Sequence, residues 1–172
     1  MELYQCIRSR LTVREFKPDP VPPRVVNLML RAARWAPSAR NRQPWQFIVI
    51  QDRNTLARIG GIASSGGYIA QAPLAIAVLM GSVNRADLDA GRAIQQVELA
   101  AWSQGVGGCF VGLGGEENRK VKELLDIPDD LQLITVMPFG YPTDEARGRG
   151  KRRKPLSELA YREKFGQKYL PT

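Results

Sequence analysis

Two clusters of cations lie at opposite ends of the chain. Arg8, Arg10 and Arg14 come near its start, and the stretch RGRGKRRKPL, Arg147 to Leu156, carries six cations in ten residues. Groups of this kind hold nucleic acids, membrane surfaces or phosphorylated small ligands, and a net charge of +8 suits all three. A phosphate monoester carries nearly two negative charges and three acceptor oxygens, which two or three Lys or Arg donors satisfy. Histidine is absent from the 172 residues. Its absence excludes Ser-His-Asp and Cys-His catalysis and imidazole metal sites. The glycines of GVGGCFVGLGGEE (105–117) fall at the wrong offsets for a dinucleotide fingerprint, and no phosphate-cradling P-loop occurs. Any hard chemistry is therefore expected to belong to a bound cofactor. Cys6 and Cys109 have no metal or redox spacing and read as small buried hydrophobes.

A second stretch with chemical potential is APSARNRQPWQF (36–47). Small and amide residues, Ser38, Ala39, Asn41 and Gln43, follow a helix-stopping Pro37. Pro44-Trp45 then leads into a strand. Such a loop presents backbone N–H groups with little bulk at the rim of a sheet, and can approach a flat polar ligand. The alternative is an ordinary helix-to-strand connection with a packing Trp.

The elements that must position these residues are legible from periodicity. Helices are expected over 2–10 (Leu3 and Ile7 facing inward, Cys6 beside them), 23–35, 53–64, 86–104 and 116–125. The longest, 86–104, gathers Ala90, Ala93, Ile94, Val97, Ala100 and Ala101 on one face. Buried strands are expected over 46–51, 74–80, 108–113 and 132–140. Alternating strands and helices indicate an α/β or α+β fold with a covered sheet. The chain is 44% hydrophobic and fits one domain over 1–172. Its longest apolar run, APLAIAVLM, is far short of the ~20 residues a membrane helix needs, and no signal-peptide pattern opens the chain. A soluble, cytoplasmic protein without a membrane partner is expected.

Five motifs in order resemble the FMN-dependent nitroreductase family: IRSRLTVREF (7–16), APSARNRQPWQFIVI (36–50), DAGRAIQQVELAAWSQGVGGCFVG (89–112), VKELLDIPDDLQLITVMPFGYP (121–142) and KRRKPLSELAY (151–161). They span nearly the whole chain. The resemblance implies an α+β fold: a three-layer α/β/α sandwich with a central mixed, mostly antiparallel sheet, in an interlocked homodimer with FMN at the interface. It implies hydride transfer from NADH or NADPH through FMN to a nitroaromatic, quinone or other oxidised small molecule. By motif, Arg10 and Thr12 would hold the FMN phosphate, helped by backbone at Leu11, and Arg14 would reach the flavin pyrimidine or ribityl. Pro37, Ser38, Ala39, Asn41 and Gln43 would approach the flavin from the partner subunit. Val111, Gly112, Leu113 and Gly114 would pass near the isoalloxazine, with a backbone N–H toward N5. Lys151 and Arg153 would complete the phosphate clamp, leaving Arg147, Arg149, Arg152 and Lys154 solvated.

The chain departs from the family at Leu11, where many members have a second Arg or a His, and in the short connection GSVNRAD (81–87), which predicts an open site. No metal is implied. With no His, and no Cys or carboxylate in the loops assigned to the flavin, no side-chain general acid is expected at the reacting centre. Two readings compete: a flavoprotein that binds FMN without turnover, and a nucleic-acid-binding domain using Trp45, Tyr68 and Trp102 as stacking faces.

Overall fold

A computed structural model describes residues 2–147 and 151–169. Four strands form one sheet in the order β1-β2-β4-β3: β1 Trp45–Ile50, β2 Leu74–Gly81, β3 Gly107–Gly108 and β4 Leu131–Gly140. Every strand pair is antiparallel, and a parallel bridge between Thr12 and Gly108 adds the N-terminal segment beyond β3. The helices are α1 Leu3–Ser9, α2 Pro23–Arg34, α3 Arg53–Ile62, α4 Ala86–Ser103, α5 Gly115–Leu124 and α6 Asp144–Arg147.

Side chains alternate across a strand, so one central strand serves both faces. On β2, Leu74, Ile76, Val78 and Met80 join the core under α2 and α4, while Ala75, Ala77 and Leu79 join the core under α3 and α5. Because both faces are covered, β2 reads as an unbroken apolar run. Helix ends follow local chemistry. The Glu2 carboxylate accepts N–H bonds from Tyr4 and Gln5 at the start of α1, and Asp52 accepts from Thr55 N at 2.7 Å at the start of α3. Pro23 opens α2, where no N–H is needed.

Two expectations are corrected. The strand expected over 108–113 shrinks to Gly107–Gly108. A Cβ on Gly108 would lie 2.5 Å from the Phe139 ring, so only glycine lets the chain approach β4 this closely. Beyond it the chain leaves the ladder, and Val111 is held instead by a side chain, the Thr135 hydroxyl. In α1, Cys6 is buried, but Leu3 and Ile7 are 67% and 48% exposed rather than facing inward. A helix of two turns packed by one edge on α4 has room for a single inward position.

Candidate functional site

Residues from both cationic clusters meet. A cavity of about 790 Å³ is lined by Arg8, Arg10, Leu11, Gln95, Arg147, Lys151 and Arg153, among others. Sequence separation hides this convergence, which the end of α1 and the segment after α6 create. The Lys151 ammonium donates to the carbonyls of Arg10 and Ile7, the latter at 3.5 Å. These acceptors lie at the C-terminal end of α1, where a cation also meets the negative end of the helix dipole. A lysine has three donors, so capacity remains for an anion. Arg153 donates to the Arg152 carbonyl at 3.0 Å.

The Arg10 guanidinium donates to Glu98 Oε1 at 3.2 Å, with both side chains mostly buried. This ion pair fixes the direction of Arg10. Burial raises the Glu98 pKa above the usual carboxylate range, and the Arg10 charge opposes that rise. Lys151 is shifted the other way: burial, then the neighbouring Arg10 and Arg153 charges, lower its pKa. Crowded cations beneath a cavity are the electrostatic condition an anion relieves.

Arg147 lines this cavity while remaining exposed. Arg152 and Lys154 are exposed, and Arg149 lies outside the described residues. Thr12 is exposed at the parallel bridge to Gly108 and does not line the cavity.

Arg14 sits apart from the phosphate-type cavity, with its guanidinium carbon 5.8 Å from the centre of the Tyr68 ring. The Tyr68 hydroxyl is 3.4 Å from Cys109 Sγ. Tyr68 and then Cys109 raise the Arg14 pKa. Burial, reinforced by Cys109, raises that of Tyr68, which keeps the phenol protonated. Sequence reasoning missed Tyr68 and Cys109 as neighbours of Arg14. The three positions are far apart in the chain, and neither Tyr nor Cys stood in a recognisable spacing. The Tyr68 phenol O–H thus lies beside Arg14.

The 37–43 loop is built on strain. Arg40, Asn41 and Gln43 have φ of 54°, 54° and 50°, a region disfavoured for residues with a Cβ by about 1–2 kcal/mol each. Local bonds hold the turn: Gln43 N donates to Ser38 Oγ at 2.9 Å and Asn41 N to Ser38 O at 3.0 Å. Ala39 N reaches out to Asp89 Oδ2 on α4 at 3.1 Å. Within one chain, Pro37, Ser38, Asn41 and Gln43 do not line the basic cavity, and Ala39 lines a separate cleft with Arg40, Arg42, Asn84 and Arg85.

The 111–114 segment also stands apart. Leu113 lines a cavity of about 660 Å³ with Gly91, Ile94 and Phe110. Val111 N is bonded to Thr135 Oγ1 at 3.2 Å and Gly114 N to Glu117 Oε2 at 2.9 Å. Those two N–H groups are therefore engaged, which leaves Gly112 and Leu113 as the donors of this stretch for any ligand. Gly91, Gln95 and Glu98 share one face of α4 by their spacing, so this helix connects the two cavities.

Two of the three aromatic residues of the nucleic-acid reading have other roles. Trp45 is buried at the start of β1, and the Trp102 indole donates to Ser9 Oγ at 2.9 Å. No group of three or more metal-ligating side chains occurs among the described residues. No described helix is long and apolar enough to cross a membrane.

The model of the nitroreductase family matches residues 7–83 and 70–141. A putative NADH dehydrogenase/NAD(P)H nitroreductase of Archaeoglobus fulgidus is 32% identical over 152 residues, covering 84% of this chain and 87% of that protein. An FMN reductase [NAD(P)H] of Bacillus subtilis is 23% identical over 188 residues, covering 95% and 74%. The crystal structure of a putative NADH dehydrogenase/NAD(P)H nitroreductase from Bacteroides thetaiotaomicron superposes with a TM-score of 0.88 at 27% identity, covering 95% of this chain and 98% of that one. With a family model matched over most of its length and a relative above 30% identity, the chain belongs to the nitroreductase family.

Proposed function

We propose that the chain is an FMN-dependent oxidoreductase that uses NADH or NADPH to reduce a nitroaromatic, quinone or related small molecule. The observation that carries this reading is the cavity that Arg10, Lys151 and Arg153 line from opposite ends of the chain. Its donor set fits a phosphate monoester, with several charge-assisted donors for three oxygens. Bound FMN supplies two-electron hydride exchange. Arg10, held by Glu98, and Lys151 with Arg153 bind the phosphate, with the Leu11 backbone beside them; Thr12, which does not line the cavity, takes no part in this reading. Arg14 lies toward the flavin pyrimidine, where its charge favours the anionic reduced form. Gly112 and Leu113 offer the backbone donors left free on the 111–114 stretch, in place of Val111 and Gly114.

Loop residues Pro37, Ser38, Ala39, Asn41 and Gln43 do not line their own chain's basic cavity, so the site is completed by a second copy. The assembly is an interlocked homodimer of three-layer α/β/α chains, with FMN at the interface. The exposed Leu3, Ile7, Leu156 and Phe165 supply apolar surface for that contact.

The test is a visible spectrum of the purified protein, with heat release of the chromophore. About one FMN per chain is expected, with NAD(P)H oxidation that depends on a quinone or nitroaromatic. A colourless protein that takes up no added FMN sinks the assignment. Bound FMN without turnover supports a binding role instead.

A further inference from the structure

Asp89 and Thr135 are the two buried polar side chains among the described residues, at 1% and 0% exposure. Each one holds a loop. Asp89 Oδ2 accepts Ala39 N at 3.1 Å, while its Oδ1 accepts Arg92 Nη1 at 3.1 Å. Thr135 Oγ1 accepts Val111 N at 3.2 Å and donates to Val111 O at 2.9 Å. Polar groups are costly to bury, and these are kept where both of their bonding capacities are used.

The 37–43 loop has few other ties, and the 111–114 segment is held besides by the buried Val111 side chain and by Ser65 Oγ, which donates to Gly112 O at 3.4 Å. Among the described residues, Ala39 N to Asp89 is the one hydrogen bond from 37–43 to another element. That loop contains three non-glycine residues at positive φ, a conformation that survives only where surrounding contacts impose it. Val111 lies in a stretch that has left the sheet, so no ladder holds it.

We propose that Asp89 and Thr135 are positioning residues for the flavin ring: Asp89 through Ala39, Thr135 through Val111. This rests on the FMN reading above. Neither touches the basic cavity, so they place the neutral loops while Arg10, Lys151 and Arg153 hold the phosphate. Phosphate affinity and ring affinity are then separable within one protein.

The experiment compares full-length wild type with Asp89→Ala, Asp89→Asn, Thr135→Val and Thr135→Ser. It measures FMN binding, inorganic phosphate binding by competition, flavin reduction by NAD(P)H, and the urea unfolding midpoint. Asp89→Ala and Thr135→Val should each weaken FMN by about tenfold or more and slow flavin reduction, with phosphate affinity unchanged. Asp89→Asn keeps an oxygen for Ala39 N, and Thr135→Ser keeps the hydroxyl, so both should recover most of the FMN affinity. Should Asp89→Ala fail to fold, the Thr135 pair and Asp89→Asn still decide. Wild-type FMN affinity in folded Asp89→Ala and Thr135→Val overturns the proposal and leaves the flavin reading intact. Equal losses of FMN and phosphate also overturn it, because the residues would then support the whole fold. A wild-type protein that binds phosphate but no FMN overturns the flavin reading and this proposal with it.

Discussion

The basic cavity and the 37–43 loop, which the proposed function joins in one site, are held by opposite physics. The cavity is a concentration of partly exposed charge, directed by one ion pair to Glu98 and by carbonyls at the end of α1. The loop presents neutral backbone in a strained conformation, and one buried carboxylate on α4 fixes it. Charge attracts a phosphate at some distance and tolerates small displacements. A flat ring needs placement, and placement needs buried, fully bonded partners. On the proposed reading, the cations of the cavity serve affinity and the buried polar groups serve geometry.

The largest expected effect breaks the cavity from below. Gly108 pairs with the 12–13 segment that follows Arg10, and a Cβ there would meet the Phe139 ring at 2.5 Å and Pro138 O at 2.8 Å. Gly108→Ala should destabilise the protein by about 2–4 kcal/mol, read as a lower urea midpoint. Its damage should centre on residues 10–14 and leave the 37–43 loop intact. Hydrogen exchange that opens both regions equally would show that the two parts are not independent.

Next in size is the charge itself. Arg10→Ala removes a charge-assisted contact worth about 1.5–3 kcal/mol and should weaken FMN and inorganic phosphate alike. That parallel loss is the opposite of the pattern expected for Asp89→Ala. If Arg10→Ala weakens FMN but not phosphate, the cavity is not the phosphate site. Replacing Lys151 as well should not add simply, because the Arg10 charge repels the Lys151 ammonium and helps to lower its pKa.

These contrasts also explain what was legible in the sequence. α4 was clear from its helical periodicity and β2 from an unbroken apolar run of strand length, since both signals report burial of a local stretch. The bringing together of Arg10, Lys151 and Arg153 was legible only through the family motifs, since more than 130 residues separate the ends that meet. The 108–113 strand was overcalled because apolar content cannot tell a ladder from a chain pinned by one threonine. Arg147 is exposed as a cation in a basic run is expected to be, but its place at the edge of the cavity depends on where α1 packs and could not be read locally. Asp89 left a usable trace. It falls four and eight residues before Ala93 and Val97, on the buried stripe of α4. A carboxylate on an apolar stripe requires a partner, although its identity, a backbone N–H fifty residues earlier, is a tertiary fact.

A smaller effect tests the ion pair. Glu98 points Arg10 but also places a negative charge under an anion site. Glu98→Gln keeps an acceptor for Arg10 and removes the charge, so phosphate affinity should rise by about two- to fivefold. Glu98→Ala should lower it instead, by freeing Arg10. The stability sign follows from the raised pKa. The folded state holds the Glu98 proton more tightly than the unfolded chain, so stability is full below the ordinary glutamate pKa and declines as pH rises through the folded value. Glu98→Gln should remove that decline, as seen in urea midpoints across the acidic range. An unchanged pH dependence would mean that the Arg10 charge cancels the burial effect.

The smallest expected effect is at Lys151. Burial and its cationic neighbours lower its pKa, so it loses its charge at a lower pH than a free lysine does. An anion binds the charged form, so phosphate affinity should be flat through neutral pH and fall on the alkaline side, starting below the usual lysine range. A bound phosphate stabilises the ammonium and moves the fall upward, so the midpoint should rise with ligand concentration. Lys151→Arg keeps a charge throughout, because guanidinium does not titrate there, and it should remove the slope while retaining most of the affinity. The loop should be indifferent, since no titrating cation anchors it: Asp89→Asn should leave the alkaline slope as in wild type. A slope that persists in Lys151→Arg would assign the titration to another group.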